Sequence, residues 1–408
     1  MKVLIETLGC KVNYADSSQI SSALAENGYI LTDRADDADI IIINSCSVTH
    51  RAERECRQLV RRFHSQNPSS KIIITGCSVL SESFRKRIQE IPFVELIPTN
   101  ELPLKFKISN KDPSTFYYNR SRPFIKIQEG CDRFCSYCIV PFLRGHPKSI
   151  KKSDIISRIN QTLKKGFKEI VIVGTHIMLY EDPETKSDIF SLLNDIENID
   201  QDFRIRLSSM EPYGLSKQNI QLLSNFKKLC AHFHIPLQSG SDRVLKEMNR
   251  EYTTSDFKNI VLEIKSRIPE ATIGTDVITG FPTETVEDFD KTVKFIQSLP
   301  VDYLHVFRFS PREGTSAFHI KSIPSQIEIK NRAEILIKIS FMKRREMLRK
   351  YIGSNMDTVI ISNSGIISGL THNYIKVIFQ NCKPQKGWIY NAHLMKLNHD
   401  NTVLGELL

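Results

Sequence analysis

Three closely spaced cysteines form the densest chemical signal in the sequence. Cys131, Cys135 and Cys138 are separated by three and then two residues, directly after a predicted strand. Cysteine thiolates are the usual ligands of iron–sulfur clusters, and three of them leave one iron of a four-iron cluster open to a substrate or cofactor. The alternative is a zinc site, but zinc sites usually repeat a closely spaced cysteine pair, and the sequence has no second pair. The spacing therefore favours a cluster with an open iron.

Three more cysteines are distant in sequence, and each follows a predicted strand: Cys10, Cys46 and Cys77. The carboxyl ends of parallel strands share one edge of a sheet, so these side chains can converge. Gly9 and Gly76 precede two of them and favour tight loops beside a bulky group. The alternative is that all three are buried apolar residues. The remaining cysteines lack partners at ligand spacing and are expected to be structural: Cys56, Cys230 and Cys382.

Composition and charge restrict the class of protein. The 408 residues carry 56 Lys and Arg against 46 Asp and Glu, a formal net charge of +10, which admits an anionic partner such as nucleic acid. Hydrophobic residues make up 40% and charged residues 25%, which excludes a disordered chain. The N-terminus does not resemble a signal peptide, and the longest aliphatic run, Ile40–Ile43, is too short to span a bilayer. We therefore expect a cytoplasmic protein with reduced cysteines and no membrane segment.

The scattered cysteines would be positioned by alternating strands and helices over residues 1–115. An amphipathic helix is predicted from about Asp16 to a glycine stop at Gly28. This alternation predicts a parallel sheet with covering helices, and residues 111–115 are a predicted linker. The predicted strands are Lys2–Thr7, Ile40–Asn44, Lys71–Gly76 and Phe93–Pro98.

The cysteine triplet would be positioned by a second strand–helix series, in residues 116–350. Six units predict an open, TIM-like (β/α)6 barrel, in which ligands lie at the C-terminal ends of the strands. A long charged helix is predicted at about 327–351, and the β-rich residues 351–408 predict a small antiparallel β-barrel. The fold class is therefore α/β with three parts. The predicted barrel strands are Pro123–Gln128, Glu169–Val173, Arg204–Ser208, His232–Leu237, Thr272–Ile278 and Tyr303–Phe309.

The cysteine triplet, with Tyr137 inside it, resembles the cluster motif of radical S-adenosylmethionine enzymes, and the upstream cysteines resemble those of the methylthiotransferases. The tripeptide Lys11-Val12-Asn13 favours the branch that acts on threonylcarbamoyladenosine in tRNA. Departures from the pattern, such as Ser78-Val-Leu80, Met178 and Thr283, remove none of the cysteines. Segments that resemble this branch run along the whole chain: Thr7–Asn13, Asn44–Thr49, Arg57–Arg62, Cys138–Gly145, His234–Gly240, Asp276–Pro282 and Leu370–Ile375.

The resemblance implies an N-terminal domain with an auxiliary 4Fe-4S cluster on Cys10, Cys46 and Cys77. It implies a radical core with a second 4Fe-4S cluster on the triplet cysteines, and a C-terminal TRAM-like RNA-binding domain. The implied reaction is methylthiolation at carbon 2 of N6-threonylcarbamoyladenosine at tRNA position 37. S-adenosylmethionine would be both radical source and methyl donor, and a protein such as flavodoxin or ferredoxin would supply electrons.

The implied reaction needs no catalytic side chain, because the cofactors carry the radical chemistry. Contacts to S-adenosylmethionine are expected in the cluster motif and at strand ends. The expected residues are Tyr137, Gly174, Thr175, Ser209, Gln238 and Asp276. Contacts to RNA are expected in basic runs, because phosphate contacts dominate affinity. The expected residues are Arg144, Lys148, Arg344 and Arg345.

Two alternatives stay open from the sequence. A sibling methylthiotransferase would act on isopentenyl-adenosine in tRNA or on an aspartate of a ribosomal protein. A protein of another class would be a non-catalytic, metal-containing RNA-binding protein. The latter predicts bound zinc and no cleavage of S-adenosylmethionine.

Overall fold

A five-stranded, all-parallel sheet forms the N-terminal part of the chain, in a computed structural model that describes residues 1–89, 91–108, 120–321 and 324–408. The strands lie in the order β2-β1-β3-β4-β5. The central strand is buried along its whole length and begins with four isoleucines, as expected where helices cover both faces. The predicted linker at 111–115 lies outside the described residues. The strands are β1 Lys2–Thr7, β2 Ile30–Thr32, β3 Ile40–Ser45, β4 Lys71–Gly76 and β5 Val94–Leu96.

The helix after β1 begins at Lys11, directly after Cys10, and not at the predicted Asp16. Its first turns lack an apolar stripe because Asn13 and Asp16 are buried in polar contacts rather than against a hydrophobic core. Such contacts are invisible to a search for apolar periodicity. The helices of this part are α1 Lys11–Glu26, α2 His50–Gln66, α3 Cys77–Leu80, α4 Glu82–Ile88 and α5 Leu102–Lys105.

Six parallel strands form the central part, in two hydrogen-bonded groups, β6-β8-β9 and β10-β11-β12. A bridge between Ile205 and Leu229 continues the sheet beyond β9, and short β7 pairs antiparallel with β6. All six predicted strands form, and the predicted α/β class is confirmed. The strands are β6 Phe124–Glu129, β7 Lys148–Ser149, β8 Glu169–Gly174, β9 Arg204–Leu207, β10 His232–His234, β11 Thr272–Thr279 and β12 Tyr303–Arg308.

The two faces of this sheet differ in chemistry. One face packs its aliphatic side chains, such as Ile172, Ile205 and Ile273, into a core with the surrounding helices. The opposite face, here called the inner face, contacts α1 through β6 and β8 and carries mostly polar side chains. The helices are α6 Val140–Arg144, α7 Lys152–Lys164, α8 Ile189–Glu197, α9 Lys217–Asn225, α10 Asp242–Glu247, α11 Thr254–Arg267, α12 Val286–Ser298 and α13 Gln326–Arg349.

A closed five-stranded barrel ends the chain, with strand order β13-β14-β15-β17-β16. The small barrel is confirmed, but one of its pairings, β15 with β17, is parallel. The reason is that β16 lies between them in sequence but on the far side of β17. The strands are β13 Asn355–Ser362, β14 Ser368–Thr371, β15 Lys376–Phe379, β16 Ile389–Leu397 and β17 Val403–Leu407. None of the helices in the described ranges combines the length and the hydropathy that a bilayer span requires.

Buried charges join the small barrel to the N-terminal ends of the central strands. Arg206 donates to the carbonyl oxygens of Thr371 and His372, both at 3.0 Å, and Arg204 donates to that of Leu370 at 2.8 Å. Glu169 accepts from both guanidinium groups, at 2.7 and 3.0 Å. Burial alone would raise the pKa of Glu169, but the surrounding arginines outweigh it and hold that pKa well below its ordinary value.

Replacing Glu169 by glutamine should lower the thermal unfolding midpoint by about 5–10 °C, because two buried arginines lose their counter-ion. Differential scanning fluorimetry measures the shift. Glu287→Gln is the matched control, since that carboxylate lies in an exposed pair with Lys291. Equal midpoints for the two variants would contradict the structural role of Glu169.

Candidate active site

The cysteine triplet occupies one loop after β6. Gly130 starts the loop with φ +81°, and a Cβ there would lie 2.1 Å from the carbonyl oxygen of His146, so only glycine fits. Backbone hydrogen bonds hold the loop, from Cys131 N to Gly145 O at 3.0 Å and from Ser136 N to Met248 O at 3.1 Å. The three thiols are therefore presented from one short, anchored segment at the C-terminal end of a barrel strand.

The environment of these thiols is suited to a metal cluster. Burial raises the pKa of Cys138 to about 12 and also raises that of Cys131, so both are protonated at neutral pH until a metal displaces the protons. Arg250 donates to Cys135 Sγ at 3.2 Å and is also paired with Glu211. A guanidinium in this position stabilises a thiolate.

Buried polar atoms at the next two strand ends point to a further ligand. Thr175 Oγ1, Ser208 Oγ and both ring nitrogens of His176 are buried, and none of the described residues offers them a hydrogen bond. Buried polar groups are normally paired, so these atoms fit a polar cofactor that binds here. Burial lowers the pKa of His176 to about 4, which keeps the ring neutral at pH 7.

The residues expected to contact S-adenosylmethionine lie around this edge and differ in burial, backbone conformation and hydrogen bonding. Ser209 is exposed, whereas Ser208 beside it is buried. Gln238 has φ +66°, a strained conformation of the kind found at functional sites. Asp276 is hydrogen-bonded to His234 at 2.8 Å. Their contacts to the cofactor stay predictions.

Gly174 and Tyr137 each have an explanation in packing. A Cβ on Gly174 would lie 3.0 Å from Ile177 Cγ2 and 3.2 Å from Gln128 O, so strand packing already favours glycine there. Tyr137 packs against a small core that contains Met248 and Phe281. A role for either residue toward the cofactor stays a prediction.

Sequence reasoning missed Ser208 and His176. Ser208 shares strand alternation with Arg204 and Arg206, so it belongs to the inner face, and that periodicity could have selected it over Ser209. For His176 no comparable sequence signal exists, because it lies in a loop after β8.

The second cysteine set meets at one edge of the N-terminal sheet. Cys10, Cys46 and Cys77 follow the neighbouring strands β1, β3 and β4. A Cβ on Gly9 would lie 2.4 Å from Cys46 Cβ and 3.1 Å from its Sγ, so the loop before Cys10 runs against Cys46. Burial, with the neighbouring Cys10 and Cys77, raises the pKa of Cys46 to about 12. The donor set and the tight glycine loops fit a bound cluster.

Arg144 links this edge to the barrel. It donates to Cys77 Sγ at 3.1 Å, to Asn13 Oδ1 at 3.3 Å and to Glu129 Oε1 at 2.6 Å. Its side chain is only 7% exposed, so a phosphate contact would require these bonds to break. The structure thus places the residue between the two cysteine sets, and its RNA contact stays a prediction.

The other residues expected to contact RNA differ in whether their side chains are exposed or already hydrogen-bonded within the protein. Lys148 is exposed on β7. Arg344 donates to the carbonyl oxygen of Tyr374, and Arg345 donates to that of Asn398 at 2.8 Å, so both tie α13 to the small barrel. RNA contacts by these residues also stay predictions.

The remaining cysteines lie away from both cysteine sets. Cys56 is fully buried in the core of the N-terminal sheet, Cys230 is buried beside Glu169, and Cys382 packs against the core of the small barrel. These positions agree with the structural interpretation.

A cavity of about 540 Å³ lies between the N-terminal sheet and the barrel. Its lining includes Cys77, Arg144, Lys126 and Phe106. One cysteine of the second set therefore borders a space large enough for a small molecule.

Comparisons with known proteins agree with this architecture. Residues 2–97 match a family described as "Uncharacterized protein family UPF0004", and residues 125–296 match the radical SAM superfamily. The threonylcarbamoyladenosine tRNA methylthiotransferase MtaB of Aquifex aeolicus is 32% identical over 92% of this chain and 96% of its own length. The same-named protein of Bacillus subtilis is 31% identical over 97% of this chain and 94% of its own length.

This chain belongs to the radical SAM methylthiotransferases.

The relatives named here are tRNA-modifying enzymes, and enzymes of this family use S-adenosylmethionine and iron–sulfur clusters. A further relative, the tRNA-2-methylthio-N(6)-dimethylallyladenosine synthase of Endomicrobium trichonymphae, is 31% identical over 100% of both chains. The fold also resembles the radical S-adenosylmethionine methyltransferase TsrM of Kitasatospora setae, with a TM-score of 0.54 at 12% identity over 78% of this chain and 74% of that one. This chain is therefore an enzyme, and the alternative of a non-catalytic, metal-containing RNA-binding protein is rejected.

Replacing Ser208 by alanine should weaken S-adenosylmethionine binding by about threefold to tenfold, the value of one lost hydrogen bond. Isothermal titration calorimetry of the cluster-loaded methylthiotransferase measures the affinity. Ser209→Ala is the matched control, because its side chain is exposed, and it should bind normally. If only Ser209→Ala weakens binding, the sequence-based choice of Ser209 is right.

Proposed function

We propose that this methylthiotransferase converts N6-threonylcarbamoyladenosine at tRNA position 37 to its 2-methylthio derivative. In this proposal Cys10, Cys46 and Cys77 hold an auxiliary 4Fe-4S cluster. The triplet Cys131, Cys135 and Cys138 holds the 4Fe-4S cluster that binds S-adenosylmethionine. Residues 1–115, 116–350 and 351–408 are its methylthiotransferase, radical core and TRAM-like domains, and it acts in the cytoplasm.

The observation that carries the substrate proposal is the charged character of the inner face. Lys11, His234, Asp276 and His305 lie there or beside it, where a threonylcarbamoyl group offers a carboxylate and a hydroxyl. An apolar isopentenyl group in the same place would desolvate these side chains without compensation. Overall identity does not decide between the substrates, because relatives named for either one are about equally similar.

The carbon 2–hydrogen bond of adenine is not acidic, so no side-chain base near neutral pH could start the reaction. Bound clusters and S-adenosylmethionine supply the radical, the methyl group and the sulfur. The side chains bind and orient. Ser208 and Thr175 offer hydrogen bonds to the cofactor, and Arg250 and Arg144 stabilise thiolate charge in the two cysteine sets.

Two exposed aromatic residues beside the cluster loop support an RNA partner. Phe134 and Phe142 are 48% and 57% exposed, and their rings meet edge to face at 5.7 Å. Exposed rings of this kind stack on unpaired bases, such as those of an anticodon loop. Electrons are proposed to come from flavodoxin or ferredoxin.

The proposal is tested by expressing the gene in a bacterial host that lacks its own enzymes of this kind. Mass spectrometry of digested tRNA should detect 2-methylthio-N6-threonylcarbamoyladenosine. Detection of the 2-methylthio isopentenyl nucleoside instead would assign the sibling substrate. If neither appears while both clusters are present, ribosomal proteins become the substrate to examine.

Replacing Cys46 by alanine should abolish methylthiolation while leaving measurable cleavage of S-adenosylmethionine, because only the auxiliary cluster loses a ligand. Iron content should fall by about half, since one of two clusters is lost. Cys56→Ala is the matched control, a buried cysteine on α2 of the same N-terminal part, and should keep its iron and its product. Methylthiolated tRNA from the Cys46 variant would contradict the assignment of the auxiliary cluster.

A further inference from the structure

A chain of polar side chains crosses the inner face between β10 and β12. His232 Nε2 lies 2.8 Å from the Tyr303 hydroxyl, which lies 3.5 Å from His234 Nδ1. His234 Nε2 lies 2.8 Å from Asp276 Oδ1, and His305 Nδ1 lies 3.5 Å from the same oxygen. Asp276 is also an expected contact to S-adenosylmethionine, but the other side chains of this series are assigned neither to the cluster motif nor to the cofactor edge, so they are available for another ligand.

The pairing of β11 with β12 brings these side chains close together. Asp276 and His305 are direct partners in the register of β11 and β12, so their side chains lie next to each other on one face. A Cβ on Gly274 would lie 2.1 Å from Tyr303 Cζ, so the tyrosine ring lies across that glycine. Any other residue at position 274 would displace the tyrosine ring and interrupt this series of polar contacts.

The series of polar side chains is open to solvent at its end on His305. The His305 side chain is 52% exposed. It borders a cavity of about 360 Å³ that is also lined by Tyr303, Phe341, Arg344 and Tyr374. Because Asp276 faces Nδ1 of His305, Nε2 of that ring remains free to meet a ligand.

Lys11 brings a positive charge to the same region. Its ammonium lies within electrostatic reach of Asp276 and of two other cations, Arg122 and Arg206. Within the described ranges no hydrogen bond or ion pair engages its Nζ. Cys10, which precedes it at the start of α1, offers no side-chain cap to the first helical N–H groups. Lys11 therefore brings a positive charge with no direct ion-pair partner among the described residues, whereas Arg122 and Arg206 are paired with Glu169.

We propose that Lys11, His305 and the His234–Asp276 pair form a subsite for the threonylcarbamoyl group of the substrate nucleoside. Lys11 binds the carboxylate, and His305 Nε2 binds the threonyl hydroxyl. His234 and Asp276 hold the His305 ring in position. The inference rests on the proposed function and adds to it the residues that recognise the substrate group.

The depth of the subsite matches the substrate. Asp276 lies two residues before Ile278 near the end of β11, which is about 7 Å at the rise of a strand. A base bound at the strand ends can therefore extend a substituent from its N6 down the inner face to this chain. The group that reaches this depth is the modification, and the purine ring stays at the cofactor edge.

A metal ion is the other ligand that this chemistry admits. Donor atoms of His234, Asp276 and His305 lie within 4.8 Å of one another. However, the neighbouring ammonium of Lys11 repels a cation and attracts a carboxylate. The charge balance therefore favours the anionic ligand.

The test is a binding cycle that removes the charge from the protein and from the ligand in turn. The probes are synthetic anticodon stem-loops that carry threonylcarbamoyladenosine or its methyl ester. The cluster-loaded wild type should prefer the free acid by about tenfold to a hundredfold, the range for a hydrogen bond to a charged group. In Lys11→Met the two probes should bind about equally, and Lys11→Arg should restore the preference.

Two controls separate the subsite from neighbouring effects. Lys258→Met removes an exposed lysine from α11 and should keep the full preference. Because Lys11 adjoins Cys10, iron content is measured for each variant, and His305→Leu provides a second test away from the cysteines. That variant should lose affinity for the threonylcarbamoyl probe but not for a probe with unmodified adenosine.

The outcomes are distinguishable. An unchanged preference in Lys11→Met with full iron content overturns the subsite, even if the wild type makes the proposed product. Weaker S-adenosylmethionine binding in His305→Leu assigns the chain to the cofactor and also overturns it. Zinc or iron bound beyond the two clusters, and lost in His305→Leu, overturns it in favour of a metal. A wild type that modifies only isopentenyl-adenosine refutes the proposed function itself.

Discussion

The packing of α1 on the inner face of the barrel is the contact on which the site depends. Asp16 of this helix accepts from Lys126 at 2.5 Å and from Arg144 at 3.4 Å, although the helix belongs to the N-terminal part of the chain and the two cations belong to the central part. All three side chains are largely buried, so the charges are poorly screened and their pairing is strongly favoured over separation. Because Cys10 immediately precedes α1, this contact brings the edge of one sheet to the strand ends of another.

Two arginines have equivalent positions in the two cysteine sets. Arg144 donates to Cys77, and Arg250 donates to Cys135. Each is also paired with a carboxylate, Glu129 for the first and Glu211 for the second. Burial raises the pKa of most of these thiols, so a nearby cation offsets part of the cost of forming thiolates. The arrangement favours ligands that are buried from water yet able to release their protons to a metal.

The polar inner face, where we propose that the substrate group binds, depends on the other parts of the fold. In a sheet with helices on both faces this face would be aliphatic, as it is at residues 40–43 of β3. Here the inner face lies against α1 and a cavity. At the N-terminal ends of its strands, Arg204 and Arg206 donate to carbonyl oxygens of the small barrel. The small barrel therefore has a structural contact with the radical core, and α13 reinforces it through Arg344. Several polar residues on these strands, such as Lys126, Arg204 and Arg206, find part of their hydrogen-bond partners in the other two parts of the chain.

Much of this protein follows from local sequence. Apolar runs, glycine stops and the spacing of the cysteine triplet predict the strands and the cluster loop, because each depends on neighbours within a few residues. Cys10, Cys46 and Cys77 are 36 and 31 residues apart, and their convergence follows from the rule that parallel strands end at one edge of a sheet. The sequence did not indicate the start of α1 at Lys11, the enclosure of Arg144 or the unpaired hydroxyl of Ser208. Those features depend on partners up to 131 residues away, as between Arg144 and Asn13. A basic residue in a local run looks like a phosphate contact, and only the packing of α1 against the barrel decides that its charge is used inside the protein.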